Sequence, residues 1–168
     1  MTFTTPCFVR VENPEKRKEL IEWLERIGYH VCSCCLFDGW NTLHCRGIDR
    51  LKIAYEVHGI CDYDEETRYS IDQFKAENAD SKYPAVDCGE NIELFKALAA
   101  MMDGPECTEQ YLMATANLYV LKRGKIKQLA AKGELLHSDV IVKCGGVFSS
   151  LRKATVEEIV EYFKNNEL

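Results

Sequence analysis

Apolar positions along this chain switch between the every-other-residue rhythm of a strand and the three-to-four rhythm of a helix. "TPCFVRV" (5–11) is a short β-branched and aromatic run with Pro only at its edge, and it predicts a strand. "NPEKRKELIEWLERIG" then predicts a helix, with Asn13 as N-cap, Pro14 in the first helical position and Gly28 as the stop. Leu20, Trp23, Leu24 and Ile27 fall on one face of it, enough to dock it on a sheet. "YHVCSCCLF" (29–37) and "WNTLHCRG" (40–47) read as two strands joined at Asp38-Gly39, a dipeptide suited to a type I′ hairpin. "LKIAYEVHGI" (51–60) adds a further strand, and the polar, acidic stretch at about 61–82 reads as a long excursion.

The pattern then restarts. "YPAVDCG" reads as a strand and "ENIELFKALAAMMDG" as a helix burying Ile92, Phe95, Leu98, Ala99 and Met102. "EQYLMATANLYVLKRG" reads as two strands around Ala116-Asn117, so two βαββ-like halves are expected. In the tail, "KIKQLAAKGEL" reads as a short helix and "SDVIVKCGG" as a strand. The closing "ATVEEIVEYFKNN" reads as a helix with a Thr155–Glu158 capping box and a stripe of Val156, Ile159, Val160 and Phe163. The expected fold class is α+β in a single domain over 1–168: a mainly antiparallel sheet, helices packed on one face, and a C-terminal helix.

The stretches "PCFVRVENPEKRKELIEWLERIGY", "VDCGENIELFKALAAMMDG" and "LRKATVEEIVEYF" resemble small uncharacterised proteins of gut Bacteroidales and their phages or mobile elements. The resemblance implies a fold in which a strand ending in Asp-Cys-Gly runs into a helix with a Leu-Phe pair. No activity, cofactor or catalytic residue comes with it.

Composition narrows the function classes. The 168 residues are 46% hydrophobic and 29% charged, an ordinary globular balance, with a net charge of −6. That excess of acid argues against a general nucleic-acid or anionic-membrane binder, and no apolar stretch is long enough to span a bilayer. The N-terminus lacks the pattern of a signal peptide, so a cytoplasmic protein is expected, and its nine cysteines are expected to stay reduced.

The candidate chemistry is sparse. Cys32, Cys34, Cys35, His44 and Cys45 contain a formal C-x-x-C, but strand alternation splits them across two faces of the predicted hairpin, Cys32 facing Cys45. A cysteine-lined core face is the better reading, with no metal. Cys88 is the candidate nucleophile, placed where a strand gives way to a helix whose N-terminus lowers a thiol's pKa. His58 or His137 is the candidate base, and Asp87 works against thiolate formation. In "VIVKCGGVFSSLRKA", Gly145 and Gly146 with Lys143, Arg152 and Lys153 form a candidate anion site that matches neither a Walker loop nor G-x-G-x-x-G.

Lys16, Arg17 and Lys18 oppose the dipole of the first helix and read as a solvated face or an interaction surface. Asp62, Asp64 and Glu66 begin a calcium-like spacing, but Thr67 stands where Gly is needed and Gln73 where Glu is needed. The function expected from these features is a non-enzymatic accessory protein, a cytosolic protein-interaction domain capable of homo-oligomerisation, with no cofactor. The alternative is a small-molecule or nucleotide binder, or a cysteine-dependent enzyme.

Overall fold

The computed structural model describes residues 5–31, 42–49, 53–60, 86–101, 109–143 and 149–165. The chain divides into two compact units, Met1–Cys107 and Thr108–Leu168. Both combine helices with largely antiparallel strands, the predicted α+β class.

In the first unit, β1 (Cys7–Arg10) leads into α1 (Pro14–Arg26) and β2 (His30–Val31). Next come β3 (Thr42–Asp49), β4 (Ile53–Ile60), β5 (Val86–Asp87) and α2 (Ile92–Ala99). Among the described residues the sheet order is β2-β4-β3-β1-β5. The long pairings, β1 with β3 and β3 with β4, are antiparallel, and the two-residue pairings of β5 with β1 and β2 with β4 are parallel.

The start of α1 is set by Asn13, whose Oδ1 accepts from the amides of Glu15 and Lys16 at 2.9 and 3.1 Å. Gly28, at φ 109°, ends it in a conformation that favours glycine. The predicted stripe is buried: Leu20, Trp23, Leu24 and Ile27 all face inward. Arg17 is buried too and donates to the Val11 carbonyl at 3.1 Å, so it anchors the helix start and forms no basic patch with its neighbours. Side by side with α1, α2 buries Phe95, Leu98 and Ala99, and Tyr29 Oη donates to the Ala99 carbonyl at 2.6 Å. Ile92 is only half-buried, and Met102 lies outside the described residues.

The second unit holds β6 (Tyr111–Ala114), β7 (Leu118–Lys122), β8 (Lys125–Ala130) and β9 (Leu135–His137). It continues with α3 (Ser138–Lys143), β10 (Leu151–Lys153) and α4 (Val156–Asn165). An antiparallel sheet of order β10-β6-β9 stands beside the separate ribbon β7-β8. Ala114, Leu118 and Ala130 are the centre of its core, with Leu129, Leu136 and Leu151 packed around them. The capping box forms as predicted: the Glu158 amide donates to Thr155 Oγ1 at 3.2 Å, and the Thr155 amide donates to Glu158 Oε1 at 3.0 Å. Of the stripe on α4, Ile159 is fully buried, and Val156, Val160 and Phe163 are half-buried.

Three local expectations are corrected. Strands β6 and β7 do form on either side of Ala116-Asn117, but they do not pair with each other: β6 pairs with β9 and β10, while β7 pairs with β8 across Arg123-Gly124. Residues 125–130, expected to be helical, form β8: ladder bonds to β7 outweigh the helix preference of Lys, Gln, Leu and Ala. Residues 138–143, expected to be a strand, form the short helix α3, with Asp139 in its first turn and Lys143 in its last, complementing the dipole against the β-branched run. The strand–helix–strand–strand order does recur along the chain, but its pairing does not, since β5 joins the sheet of β1. The Asp38-Gly39 turn, Cys32, Cys34, Cys35 and the acidic excursion at about 61–82 lie outside the described residues.

Candidate functional sites

Cys88 belongs to a buried group of thiols. It follows β5, its amide donating to the Phe8 carbonyl at 2.9 Å, and Asp87 Oδ1 accepts from the Gly89 amide at 2.8 Å. Gly89, at φ 56°, lets the chain turn there. The N-cap of α2 is Asn91, whose Oδ1 accepts from the Leu94 amide at 3.0 Å, so Cys88 stands ahead of the helix and not on its first turn. Its side chain is buried, as are those of Cys7 and Cys45, and all three are free thiols. Cys7 and Cys45 face each other across β1 and β3, Sγ to Sγ 3.2 Å. Burial pushes the Cys7 thiol well above its ordinary range, and hydrogen bonds with Cys45 and Cys88 push it further the same way.

The neighbours of Cys45 in register are Cys7 and Val57, where the hairpin reading had Cys32. The reason is that β3 already has a partner along each edge. Strand alternation itself holds, since Leu43 and Cys45 share a buried face. Among the described residues, no group of three or more His, Cys, Asp or Glu residues is placed to hold a metal ion. His58, a candidate base for Cys88, lies on β4, three strands from β5.

His137, the other candidate base, is in the second unit, at the end of β9. Its Nδ1 lies 2.6 Å from Asp139 Oδ1, and Tyr111 packs edge-on against its ring at 5.2 Å. The hydrogen bond from His137 holds the Asp139 carboxyl below its usual range. Lys143, a candidate anion ligand, lies 3.5 Å from the other oxygen of that carboxylate.

Arg152 is engaged more tightly: its guanidinium grips Glu158 through two bonds, 2.6 and 3.0 Å, and its Nη1 also donates to the Lys153 carbonyl at 3.1 Å. Lys153 follows it on β10 as an exposed residue, and Gly145 and Gly146 lie outside the described residues. Lys143 and Arg152 therefore already have carboxylate partners.

A hollow of about 1000 Å³ in the first unit is lined by residues of α1 and α2. Lys96 Nζ lies 5.0 Å from the Trp23 ring there, and Lys16, Glu19, Glu22 and Glu93 also line it. Walls of both signs select no single ligand charge.

The feature that sequence reading missed is the ribbon β7-β8. Residues 121–128 are all exposed, so the ribbon stands in solvent over most of its length. Both turn residues have positive φ, Arg123 at 53° and Gly124 at 76°, as a type I′ turn requires. Pairing of Leu121 with Ile126 and Tyr119 with Gln128 puts those four side chains on one face. Pairing of Val120 with Lys127 and Lys122 with Lys125 makes the other face basic. Leu121 is 74% exposed, Ile126 77% and Tyr119 55%. The available signal was Arg-Gly between two alternating runs, hidden because the second run, from Lys125, reads as a helix. No protein-family model, curated protein or solved structure matches this chain.

Proposed function

We propose that the chain is a non-enzymatic accessory protein of the cytosol, of the kind carried by gut Bacteroidales and their phages or mobile elements, which docks another protein on the apolar face of β7-β8. The observation that carries this reading is the cross-strand pair Leu121–Ile126, two large aliphatic side chains side by side in solvent. Scattered single apolar residues are normal on a surface, whereas a contiguous group flanked by cations has the anatomy of an interface centre with a polar rim. The burial of Cys88 among thiols supports a packing role for it, because a nucleophile needs access and a neighbouring base. The carboxylate partners of Arg152 and Lys143 weigh against the alternative of an anion pocket at those residues.

The test is capture from the native host with tagged wild-type protein and with Leu121→Ser/Ile126→Ser, both checked for the same melting temperature. The variant should lose a partner that the wild type retains, and a second copy of the chain as that partner would appear as a dimer in sedimentation. Capture of the same protein in equal yield by both forms would overturn the reading.

A further inference from the structure

Residues 118–132 carry five positive charges (Lys122, Arg123, Lys125, Lys127 and Lys132) and no acid, in a chain of net charge −6, which leaves −11 on the rest. Four of the five lie on the exposed part of the ribbon, with Lys122, Lys125 and Lys127 on one face and Arg123 at the tip. None of these four has a carboxylate partner among the described residues, in contrast to Arg152 and Lys143. Lysines on a ribbon often serve only to keep its edges from pairing, but such guards need neither a single shared face nor a cation at the turn. Arg123 also holds a left-handed conformation in which Asn or Gly would be less strained, so this position keeps its charge against local preference.

From this placement, and against the expectation that net charge alone gives, we propose that the basic face of β7-β8 binds nucleic acid, gripping the phosphate backbone of a duplex. This rests on the reading of the ribbon as the contact element and adds a second ligand on its opposite face. A two-stranded ribbon is of a size that the major groove of B-DNA, about 12 Å wide, admits. Lysine ammonium groups and a tip guanidinium are phosphate ligands, so the contact is carried by the backbone and binding is largely independent of sequence. The acidic remainder of the chain is repelled by phosphate, which confines contact to the ribbon and keeps binding weak. An acidic protein surface or an anionic bilayer offers the same sign of charge. A duplex is favoured because the cations are segregated from Tyr119, Leu121 and Ile126, whereas insertion into a bilayer would use the apolar face.

The experiment measures fluorescence anisotropy of a labelled duplex of about 20 base pairs, titrated with the full chain at several salt concentrations. Four phosphate contacts predict a slope of log affinity against log salt of about −3.6, or roughly 100-fold weaker binding at about 200 mM than at about 50 mM salt. Lys122→Gln/Lys125→Gln/Lys127→Gln should abolish binding, and Lys127→Gln alone should lower the slope by about one, which keeps the test informative if the triple variant misfolds. Lys16→Gln/Lys18→Gln on α1 should change nothing. No duplex binding at low salt, or full binding by a folded triple variant, would overturn the proposal. So would tighter binding to phosphatidylserine vesicles or to polyglutamate than to DNA. Leu121→Ser/Ile126→Ser should still bind duplex. A wild type that captures its protein partner through the apolar face yet ignores DNA would sink this inference alone and leave the docking reading intact.

Discussion

Glu158 accepts two hydrogen bonds from Arg152 and one from the Thr155 amide, and these contacts, led by Arg152, hold its carboxyl at about 2, against an ordinary 4.5. A carboxyl depressed in the folded state contributes stability that is present above its unfolded value and lost as pH falls through the folded one. The second unit should therefore weaken between pH 4.5 and about 2, and Glu158→Gln should flatten that part of an acid melting series. At neutral pH the same substitution should cost only roughly 0.2–1 kcal/mol, because a Gln oxygen can still accept from the Thr155 amide and the pairing with half-exposed Arg152 is screened. The thiols make a second case at this scale. Cys7, Cys45 and Cys88 should react slowly with a thiol reagent until denaturant is added, since burial restricts access and, at Cys7, disfavours the thiolate. Rapid labelling of any of the three in the native protein, located by peptide mapping, would contradict the buried group. That Cys45 would be buried was legible from alternation along its strand; that it would face Cys7 was not, because its partner is 38 residues away.

Among the elements, the helices were the more legible. Asn13, Pro14 and Gly28 bracket α1, and Thr155 with Glu158 opens α4, since caps and stops are local chemistry. The ribbon was missed because its turn uses Arg-Gly where Asn-Gly or Asp-Gly is the stronger signal. That mismatch is testable. Arg123→Asn should stabilise the second unit by roughly 0.5–1 kcal/mol, because Asn tolerates the left-handed conformation better than Arg does. A lower melting temperature for this variant would show that the Arg123 side chain makes a stabilising contact that outweighs the turn strain.

At the scale of the whole molecule, the chain divides into two compact units, and each has its own core. Deleting residues 155–168 removes Ile159 and the half-buried Val156, Val160 and Phe163 from the second unit. Each such side chain contributes roughly 1.5–3 kcal/mol when fully buried, so their loss rivals the stability of a small domain. The truncated chain should lose the cooperative melting of that unit, followed by circular dichroism; an unchanged transition would make α4 an appendage. The sequence by itself determined the α+β class, both ends of α1, the start of α4, the buried face of α1 and the shared buried face of Leu43 and Cys45 on β3, because those follow from capping and periodicity within a few residues of chain. Only the tertiary structure decided which strands pair: β3 between β1 and β4, β5 beside β1, and β7 with β8 standing apart from β6. Strand pairing joins distant segments through backbone groups that every residue carries, and a single sequence does not encode that choice locally. The same choice made the candidate sites, bringing Cys7, Cys45 and Cys88 together, pairing Arg152 with Glu158, and leaving Leu121, Ile126 and the lysines of the ribbon in solvent.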